Sequence, residues 1–392
     1  MTWAIFSIVA GEVSPSGCSA YTYAQYSYEP YTRAPFYQLS EQMIDDSTEN
    51  GGTHPAYPFL TGHGGANQVA LYGYLGLRLL PDSAIHINPN MPPQLPHITY
   101  RIFYWRGWPI SASSNYTHTT ISRAWNVSSL DTADSRFANR SIPVHVGPEL
   151  SASIYRLPVK GSLTVPNRQI GSKNSIDGNL VQCRPVVSPN VFEQGQFPIA
   201  AVDGATSTKW QPSTANVSSI TVSLADPEAN SLASGFHFDW YQSPPVNATV
   251  LFHDRAIGNP AMSLKNATGD VRIATTLTNI KQSKPYDPEA TDLGEIKMPT
   301  GNITTIELAE PIKAARYATL IISGNQANGN DTADGVGATV AEWAILANDR
   351  SRSSDGKGEM RRLRPRDASD SSSSGFSLRR RQFVAGANGR RG

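Results

Sequence analysis

The sequence predicts a mixed α and β protein of several domains, in which helices precede two blocks of β-strands. Its 392 residues exceed what one hydrophobic core usually fills, and 39% hydrophobic residues can supply more than one core. Charged residues make up 17% of the chain, below the roughly 25% of ordinary domains, which favours β-rich, loop-rich, extracellular architecture over helical bundles. No stretch approaches the roughly 20 apolar residues of a membrane-spanning helix, so no membrane span is expected.

Residues 1–80 are predicted to form helices joined by long loops. The apolar positions of MTWAIFSIVAGEV, residues 1–13, recur at helical spacing and lack the basic residues that open a signal peptide, so no signal peptide is recognised. No capping residue precedes this helix, and we therefore expect the sequence to be part of a longer chain. Apolar spacing over 36–44 predicts a second helix, and the run over 69–80 predicts a third, buried one.

Two β-rich blocks follow the helices. Prolines mark a linker after residue 80, and strand-like runs over 97–166 predict a β-sandwich domain within 81–170. Regular short strands separated by turns predict a second sandwich or jelly roll over 178–348. Residues 349–392 are rich in Ser, Arg and Asp and cannot bury enough apolar surface to fold, so we expect a disordered basic tail.

The charge distribution argues against nucleic-acid binding. Residues 349–392 hold 12 Lys/Arg against 5 Asp/Glu, and the rest of the chain holds 21 against 27. The folded part is therefore acidic, whereas a nucleic-acid-binding domain usually presents a basic patch. The sequence also contains no Gly-rich phosphate loop and no nucleophile elbow. No organic cofactor is expected.

Glycosylation motifs indicate that the parent protein is secreted. Eight Asn-x-Ser/Thr motifs avoid the first 80 residues and the tail, as glycans on a folded secreted protein would. The candidate glycosylation sites are Asn115, Asn126, Asn139, Asn216, Asn247, Asn266, Asn302 and Asn330. Two cysteines, Cys18 and Cys183, are too few for a disulfide scaffold or a zinc cluster, and the sequence leaves open whether they pair.

Three stretches carry a family resemblance. They are MTWAIFSIVAGEVSPSGCSAYTYAQYSYEPYTRAPFYQLSEQMIDD from residue 1, HPAYPFLTGHGGANQVALYGYLGLRLLPD from residue 54, and YRIFYWRGWPISASSNYTHTTISR from residue 100. They resemble the carboxyl-terminal portion of fungal acid trehalases of glycoside hydrolase family 65. The resemblance implies that residues 1–80 are the last helices of an (α/α)6 catalytic barrel, followed by a β-sandwich domain. It also implies an extracellular, cell-wall or vacuolar enzyme that hydrolyses α,α-trehalose to glucose with inversion.

A second resemblance concerns the last β block. The stretch IAAVDGATSTKW, residues 199–210, resembles the Asp-Gly loop of the discoidin-like or coagulation-factor C-type fold, and residues 317–324 and 340–347 look like its last strands. The resemblance implies a jelly roll that binds carbohydrate or a lipid surface. It also implies a structural calcium ion held by Asp203, Thr208 and Glu342, since oxygen ligands from loops suit this cation. An Asp-Gly pair that forms only a turn is the alternative.

Hydrolysis with inversion needs two carboxyl groups. An acid protonates the leaving oxygen, and a base roughly 6.5–9.5 Å away activates water on the opposite face of the sugar. The resemblance puts the family's acid before residue 1, so we expect this chain to lack the catalytic acid and to be inactive alone. Glu12 is a candidate base because it is the only acidic residue of the first helix, but its place near the helix end favours a capping or solvated role.

The stretch TGHGGANQ supplies candidate substrate-binding residues. Glycines beside His63 let the backbone approach a ligand, and imidazole and amide groups suit sugar hydroxyls. A structural loop histidine is the alternative for His63. Thr2 and Trp3 open a helix that resembles one bordering the same pocket. The predicted substrate-binding residues are therefore His63, Gly64, Asn67, Gln68, Thr2 and Trp3.

These observations predict the carboxyl-terminal section of an α,α-trehalase. The alternative is a noncatalytic carbohydrate-binding or cell-wall-associated protein whose jelly roll is the working part. Trehalose or another carbohydrate is the expected partner. No histidine-based metal site is expected, because no typical ligand spacing joins the remaining histidines. These are His54, His86, His97, His118, His145, His237 and His253.

Overall fold

The computed structural model describes residues 2–14, 16–148, 151–168, 174–224, 228–255, 257, 271–282, 302–329 and 331–347. These residues form mostly β-sheet, with a few helices near the start, which confirms the mixed α and β prediction in its broad terms. The predicted disordered tail lies outside the described residues. Among the described helices, none combines the length and the apolar character needed to cross a membrane.

Three α-helices lie in the first 80 residues, which we call the helical segment. They are α1 (Thr2–Val13), α2 (Ser19–Tyr28) and α3 (Leu60–Gln68), and a π-helix continues α3 over Val69–Tyr74. The first helix confirms its prediction. It buries Ala4, Ser7, Ala10 and Gly11, and the Ser7 hydroxyl donates to the Ala20 carbonyl of α2 at 2.6 Å. These small side chains let the two helices approach closely.

The second predicted helix, over 36–44, is wrong. Strand β1 (Thr32–Arg33) pairs antiparallel with β2 (Gln38–Leu39), and residues 40–46 have no regular structure. The backbone groups of this segment bond to other parts of the chain, since the Ser40 N–H donates to the Tyr31 carbonyl at 2.8 Å and the Leu39 carbonyl accepts from the Phe59 N–H at 2.7 Å. A helix over 36–44 would have paired both of these groups internally.

The third predicted helix begins and ends earlier than its apolar pattern indicates. It begins at Leu60, inside the segment predicted as a loop, and the π-helix ends at Tyr74. Gly76 then turns the chain at a φ of +64°, where a Cβ would lie 2.4 Å from the Asn88 carbonyl oxygen. Only glycine fits this turn. The last part of the apolar run therefore leaves the helix and passes beside the first sandwich.

The described residues between 85 and 166 form the first sandwich. Its strands are β3 (Ile85–Ile87), β4 (His97–Trp105), β5 (Trp108–Asn115), β6 (His118–Arg123), β7 (Ile142–Val146), β8 (Ser153–Leu157) and β9 (Ser162–Pro166). One sheet has the order β3-β7-β8, with β3 parallel to β7, and the other has the order β4-β5-β6-β9. The core runs without a break from Ala4, Val69 and Leu75 to Ile110 and Val144. The helical segment and the first sandwich therefore share one core.

The described residues between 174 and 347 form the second sandwich. Its strands are β10 (Val186–Val187), β11 (Ser218–Ser223), β12 (Leu232–Asp239), β13 (Asn247–His253), β14 (Val271–Leu277), β15 (Ile303–Lys313), β16 (Tyr317–Ser323) and β17 (Glu342–Ala347). One sheet has the order β10-β11-β16-β13-β14, and the other has the order β15-β12-β17. The two sheets enclose a core around the fully buried Trp210, Trp240 and Trp343.

A disulfide joins the helical segment to the second sandwich. Cys18 and Cys183, whose pairing the sequence left open, are bonded across 165 positions with their Cα atoms 5.5 Å apart. Beside this bond, the Ser16 hydroxyl donates to the Asp203 carbonyl. The bond agrees with the secretion predicted from the glycosylation motifs, because disulfides persist in oxidising compartments.

We expect loss of this disulfide to lower the free energy of unfolding by about 2–5 kcal/mol, because the bond closes a long loop in the unfolded chain. Urea unfolding of the purified chain with and without reductant measures the effect. A Cys18→Ala/Cys183→Ala variant is the control, since reductant should leave its unfolding midpoint unchanged. Equal midpoints for the oxidised and reduced wild-type chain would contradict this stabilising role.

Candidate functional site

The first candidate site is a cavity of about 350 Å³ in the helical segment. Its lining includes Thr2, Trp3, Ser27, Tyr31, Glu41 and Gln42. The Trp3 ring stacks on Tyr23 with centroids 6.0 Å apart and packs on Tyr26 at 5.0 Å, which fixes its orientation. The cavity thus combines aromatic faces with hydroxyl, amide and carboxylate groups. This combination is suited to a small polar ligand such as a sugar.

The predicted substrate-binding residues divide into two groups. Thr2 and Trp3 line the cavity, and their contact with substrate stays a prediction. His63, Gly64, Asn67 and Gln68 lie on α3 rather than in a loop. The His63 Nε2 atom accepts a hydrogen bond from the Leu39 N–H at 3.1 Å, which favours the structural alternative for this histidine. The other three residues are exposed to solvent on the helix.

Glu41 is a carboxylate of this cavity that sequence reasoning missed. Its Oε2 atom accepts from the Ala56 N–H at 3.0 Å, and its own N–H donates to the Ala56 carbonyl at 3.0 Å. This double link holds Glu41 against the chain that leads into α3. A helix over 36–44 would have placed Glu41 on its polar face, away from the apolar stripe, and no motif surrounds it. Only the irregular path of residues 40–46 brings it into the cavity.

Glu12 lies at the other end of α1, about 15 Å from Thr2 at the helical rise per residue. Its carboxylate is 3.6 Å from the guanidinium groups of both Arg78 and Arg168. It also accepts a hydrogen bond from the Asn88 side chain at 2.9 Å. These contacts tie α1 to the segments on either side of the first sandwich. The geometry favours a structural ion pair over the weak prediction that Glu12 is the catalytic base.

The second candidate site contains the residues predicted to hold calcium. Asp203, Thr208 and Glu342 are almost fully buried and lie together. The Thr208 hydroxyl donates to Asp203 Oδ2 at 2.8 Å, and the Gly204 N–H donates to Glu342 Oε2 at 3.0 Å. Glu342 Oε1 is buried and has no hydrogen-bond partner among the described residues. An unsatisfied carboxylate oxygen beside a second buried carboxylate is the arrangement that a hard cation fits.

Burial also changes the acidity of these two groups. It raises the pKa of Asp203 to about 7, against the hydrogen bonds from Thr208 and Ala205 that favour its charged form. Burial and the nearby charges of Asp203 and Asp239 raise the pKa of Glu342. The pair is therefore costly to ionise together unless a positive charge lies between them.

The glycosylation motifs differ in exposure. Five of the predicted asparagines are exposed: Asn115, Asn126, Asn139, Asn216 and Asn247. Asn302 is instead 3% exposed, and its Nδ2, the atom that would carry a glycan, donates to the Tyr241 carbonyl at 2.7 Å. This burial argues against a glycan at Asn302, whose glycosylation stays a prediction. The motifs at Asn266 and Asn330 lie outside the described residues.

Comparison with known proteins identifies close relatives. Over 350 residues, or 88% of this chain, the sequence is 66% identical to the acid trehalase of Emericella nidulans. Over 359 residues it is 55% identical to the cell wall acid trehalase of Arthroderma benhamiae. The resemblance to fungal acid trehalases is therefore confirmed. The chain spans 33% and 34% of these two proteins, about a third of the length of the curated relatives it matches.

Other comparisons are weaker. No model of a known protein family matches the sequence. A chitosan-binding module from a Paenibacillus chitosanase/glucanase is 14% identical, with a TM-score of 0.30 over 43% of this chain and all of the module. A putative kojibiose phosphorylase from the human microbiome is 13% identical, with a TM-score of 0.28 over 42% of this chain and 18% of that protein. These scores are too low to support a functional conclusion.

We expect chains secreted from a eukaryotic host to carry glycans at the five exposed asparagines and none at Asn302, because its buried Nδ2 is already hydrogen-bonded. Mass spectrometry of peptides released with peptide N-glycosidase in heavy-oxygen water measures the occupancy of each position. Asn216, which lies in the same sandwich and is exposed, is the matched internal control. A glycan at Asn302 in folded, secreted chain would contradict the prediction.

Proposed function

We propose that this chain is the carboxyl-terminal section of an inverting α,α-trehalase that acts outside the cell. The observation that carries the proposal is the 66% identity to an acid trehalase over 88% of the chain. Because so little of the chain lies outside the match, the matched part includes residues of the helices and of both sandwiches. The extracellular location is supported by relatives described as cell wall acid trehalases, by the Cys18–Cys183 disulfide and by the exposed glycosylation motifs.

In this proposal the helical segment belongs to an (α/α)6 barrel within a protein as long as these relatives. The outer face of α1 supports this assignment. It exposes Ile5, Phe6, Val9 and Val13. Each of these residues has between 43% and 72% of its surface accessible to solvent. Apolar surface gains roughly 25 cal/mol per Å² when buried, so further barrel helices pack on this stripe in the longer protein.

The cavity beside Trp3 is the chain's share of the substrate pocket, and Glu41 is its general base. Trp3 and Tyr31 offer aromatic faces to a sugar ring, and the Glu41 carboxylate takes a proton from the attacking water. The acid that protonates the leaving oxygen comes from the part of the longer protein outside this chain. Glu12 is unsuited to the base role because two arginines hold it at the far end of α1.

A fusion tests this function. The part of the Emericella nidulans acid trehalase that lies outside the matched third is joined to this chain, and trehalose hydrolysis is measured by glucose release. We expect the fusion to hydrolyse trehalose and the 392-residue chain alone to release no glucose. Trehalose hydrolysis by the chain alone would refute the proposal that the catalytic acid comes from outside this chain. A folded, inactive fusion, together with binding of the chain alone to insoluble wall polysaccharide, would favour the noncatalytic alternative.

Two matched variants of the fusion test the base. We expect Glu41→Gln to lower kcat by about 10²–10⁴-fold with little change in KM, because it removes proton transfer without removing the side chain's volume. Glu12→Gln is the control and should keep kcat near that of the parent fusion. A Glu41→Gln fusion with unchanged kcat would exclude Glu41 as the base.

We also propose that the second sandwich binds a structural calcium ion at Asp203, Thr208 and Glu342. The unpartnered Glu342 Oε1 atom supports the site. When bound, the ion neutralises the two buried carboxylates. Without the ion, protons must do so. The folded pKa of Asp203, about 7, lies above its ordinary value of 3.8, so the folded chain binds this proton more tightly than the unfolded chain does.

Thermal unfolding tests the calcium site. In chelator we expect stability to fall as the pH rises from about 4 to about 7, because over this window the unfolded chain has released the Asp203 proton that the folded chain still holds. Near neutral pH, saturating calcium should raise the midpoint by about 5 °C. The Glu342→Gln variant should show a smaller pH dependence and no calcium effect, and the exposed Glu307→Gln serves as control. An unchanged midpoint in wild-type chain with calcium would contradict the site.

A further inference from the structure

Two histidines and an aspartate meet where the helical segment joins the first sandwich. Asp82 lies in the bend before β3, His86 is the middle residue of β3, and His145 lies on β7. One carboxylate oxygen and one ring nitrogen from each histidine all lie within 4.8 Å of one another. The expectation that the histidines form no metal site rested on sequence spacing, which cannot detect partners on parallel strands.

The strand register brings the two histidines together. In the parallel pair of β3 and β7, His86 lies directly opposite His145. Their neighbours Ile85, Ile87 and Val144 are buried in the core. Side chains alternate between the two faces of a sheet, so both histidines lie on the opposite face. Their rings meet edge to face with centroids 4.7 Å apart.

The carboxylate of Asp82 is aimed at these rings. Its Oδ2 atom lies 2.7 Å from His86 Nε2, and its Oδ1 atom accepts from the Ala84 N–H at 3.2 Å. The Asp82 carbonyl accepts from the Arg106 guanidinium at 2.6 Å, which holds the bend. Burial alone would raise the pKa of Asp82, but the His86 hydrogen bond, the Ala84 N–H and the two histidines lower it below its ordinary value.

From this geometry we propose that Asp82, His86 and His145 bind a divalent transition-metal ion, with Zn²⁺ as the fitting ion. Imidazole nitrogens and carboxylate oxygens are zinc ligands at about 2.0–2.2 Å, so ligand atoms of a tetrahedral site lie about 3.3 Å apart. Because all three ligand atoms lie within 4.8 Å of one another, shifts of about 1.5 Å or less bring them to this spacing. The Asp82 side chain is 46% exposed and has room to rotate. Water takes the fourth position.

The charges around the cluster permit a cation. Arg78 lines the same cavity of about 250 Å³ as His86, and its guanidinium is paired with Glu12 at 3.6 Å. Arg106 is paired with Asp134 at 3.5 Å. A carboxylate thus lies beside each neighbouring guanidinium, although Glu12 also pairs with Arg168 and Asp134 also pairs with Arg136. A bound ion would link the bend before β3 to both parallel strands, and we therefore expect it to stabilise the fold by binding only the folded state.

Zinc titration of the untagged, chelator-treated chain tests the proposal by calorimetry and by metal content after dialysis. We expect one Zn²⁺ per chain. Asp82→Asn and His145→Gln keep the side-chain sizes, and each should weaken binding by more than about tenfold, since loss of even an outer-shell partner costs that much. His118→Gln, an exposed histidine of the same sandwich, is the control and should bind as wild type does.

Two further measurements make the outcome decisive. Circular dichroism and the unfolding midpoint in chelator establish that the variants are folded, and zinc should then raise the midpoint of wild type and His118→Gln alone. Co²⁺ should give visible absorption bands in wild type that both ligand variants lose. Equal zinc affinity in wild type and the two ligand variants would identify an adventitious ion and overturn the proposal. Absence of binding to wild-type chain would overturn it as well.

Discussion

The contact between the Cys18 region and the Asp203 loop is the constraint on which the rest of the structure depends. The disulfide to Cys183 and the hydrogen bond from Ser16 hold the turn between α1 and α2 against this loop. Gly204 lies in the contact at a φ of +75°, where a Cβ would approach the Ser16 Cβ to 2.8 Å. The Asp203 side chain is fully buried beside this contact, and its burial raises the pKa of the carboxyl group.

The helical segment is held on two sides. Its residues Ala4, Val69 and Leu75 continue the core of the first sandwich, and Cys18 ties it to the second. The composition of the sequence changes at residue 80, but the hydrophobic core continues across this position. The apolar stripe of α1 stays exposed beside these two attachments. It is the face that the proposed further helices would cover.

Local patterns predicted much of the fold, and long-range contacts decided the rest. The first helix and most strands of the two sandwiches follow from apolar periodicity, because each buries one face against a core. The segment 36–44 has the same periodicity, yet its Ser40 N–H bonds to Tyr31 and its Leu39 carbonyl bonds to Phe59 instead of forming a helix. Glu41 enters the cavity on this irregular path. Asn302 matches a glycosylation motif, but tertiary packing buries it, which three letters of sequence cannot reveal.

The proposed calcium site lies where segments distant in sequence meet, and its carboxylates have a physical reason to be there. Only 17% of the residues are charged, so few ion pairs are available to fix one segment against another. A buried carboxylate gives direction to such a junction, but its charge costs free energy unless it is neutralised. A proton does this at Asp203 below a pH of about 7, and above that pH the proposed calcium ion would take its place. The proposed site would therefore keep Asp203 neutralised by a proton in acidic surroundings and by calcium in neutral ones.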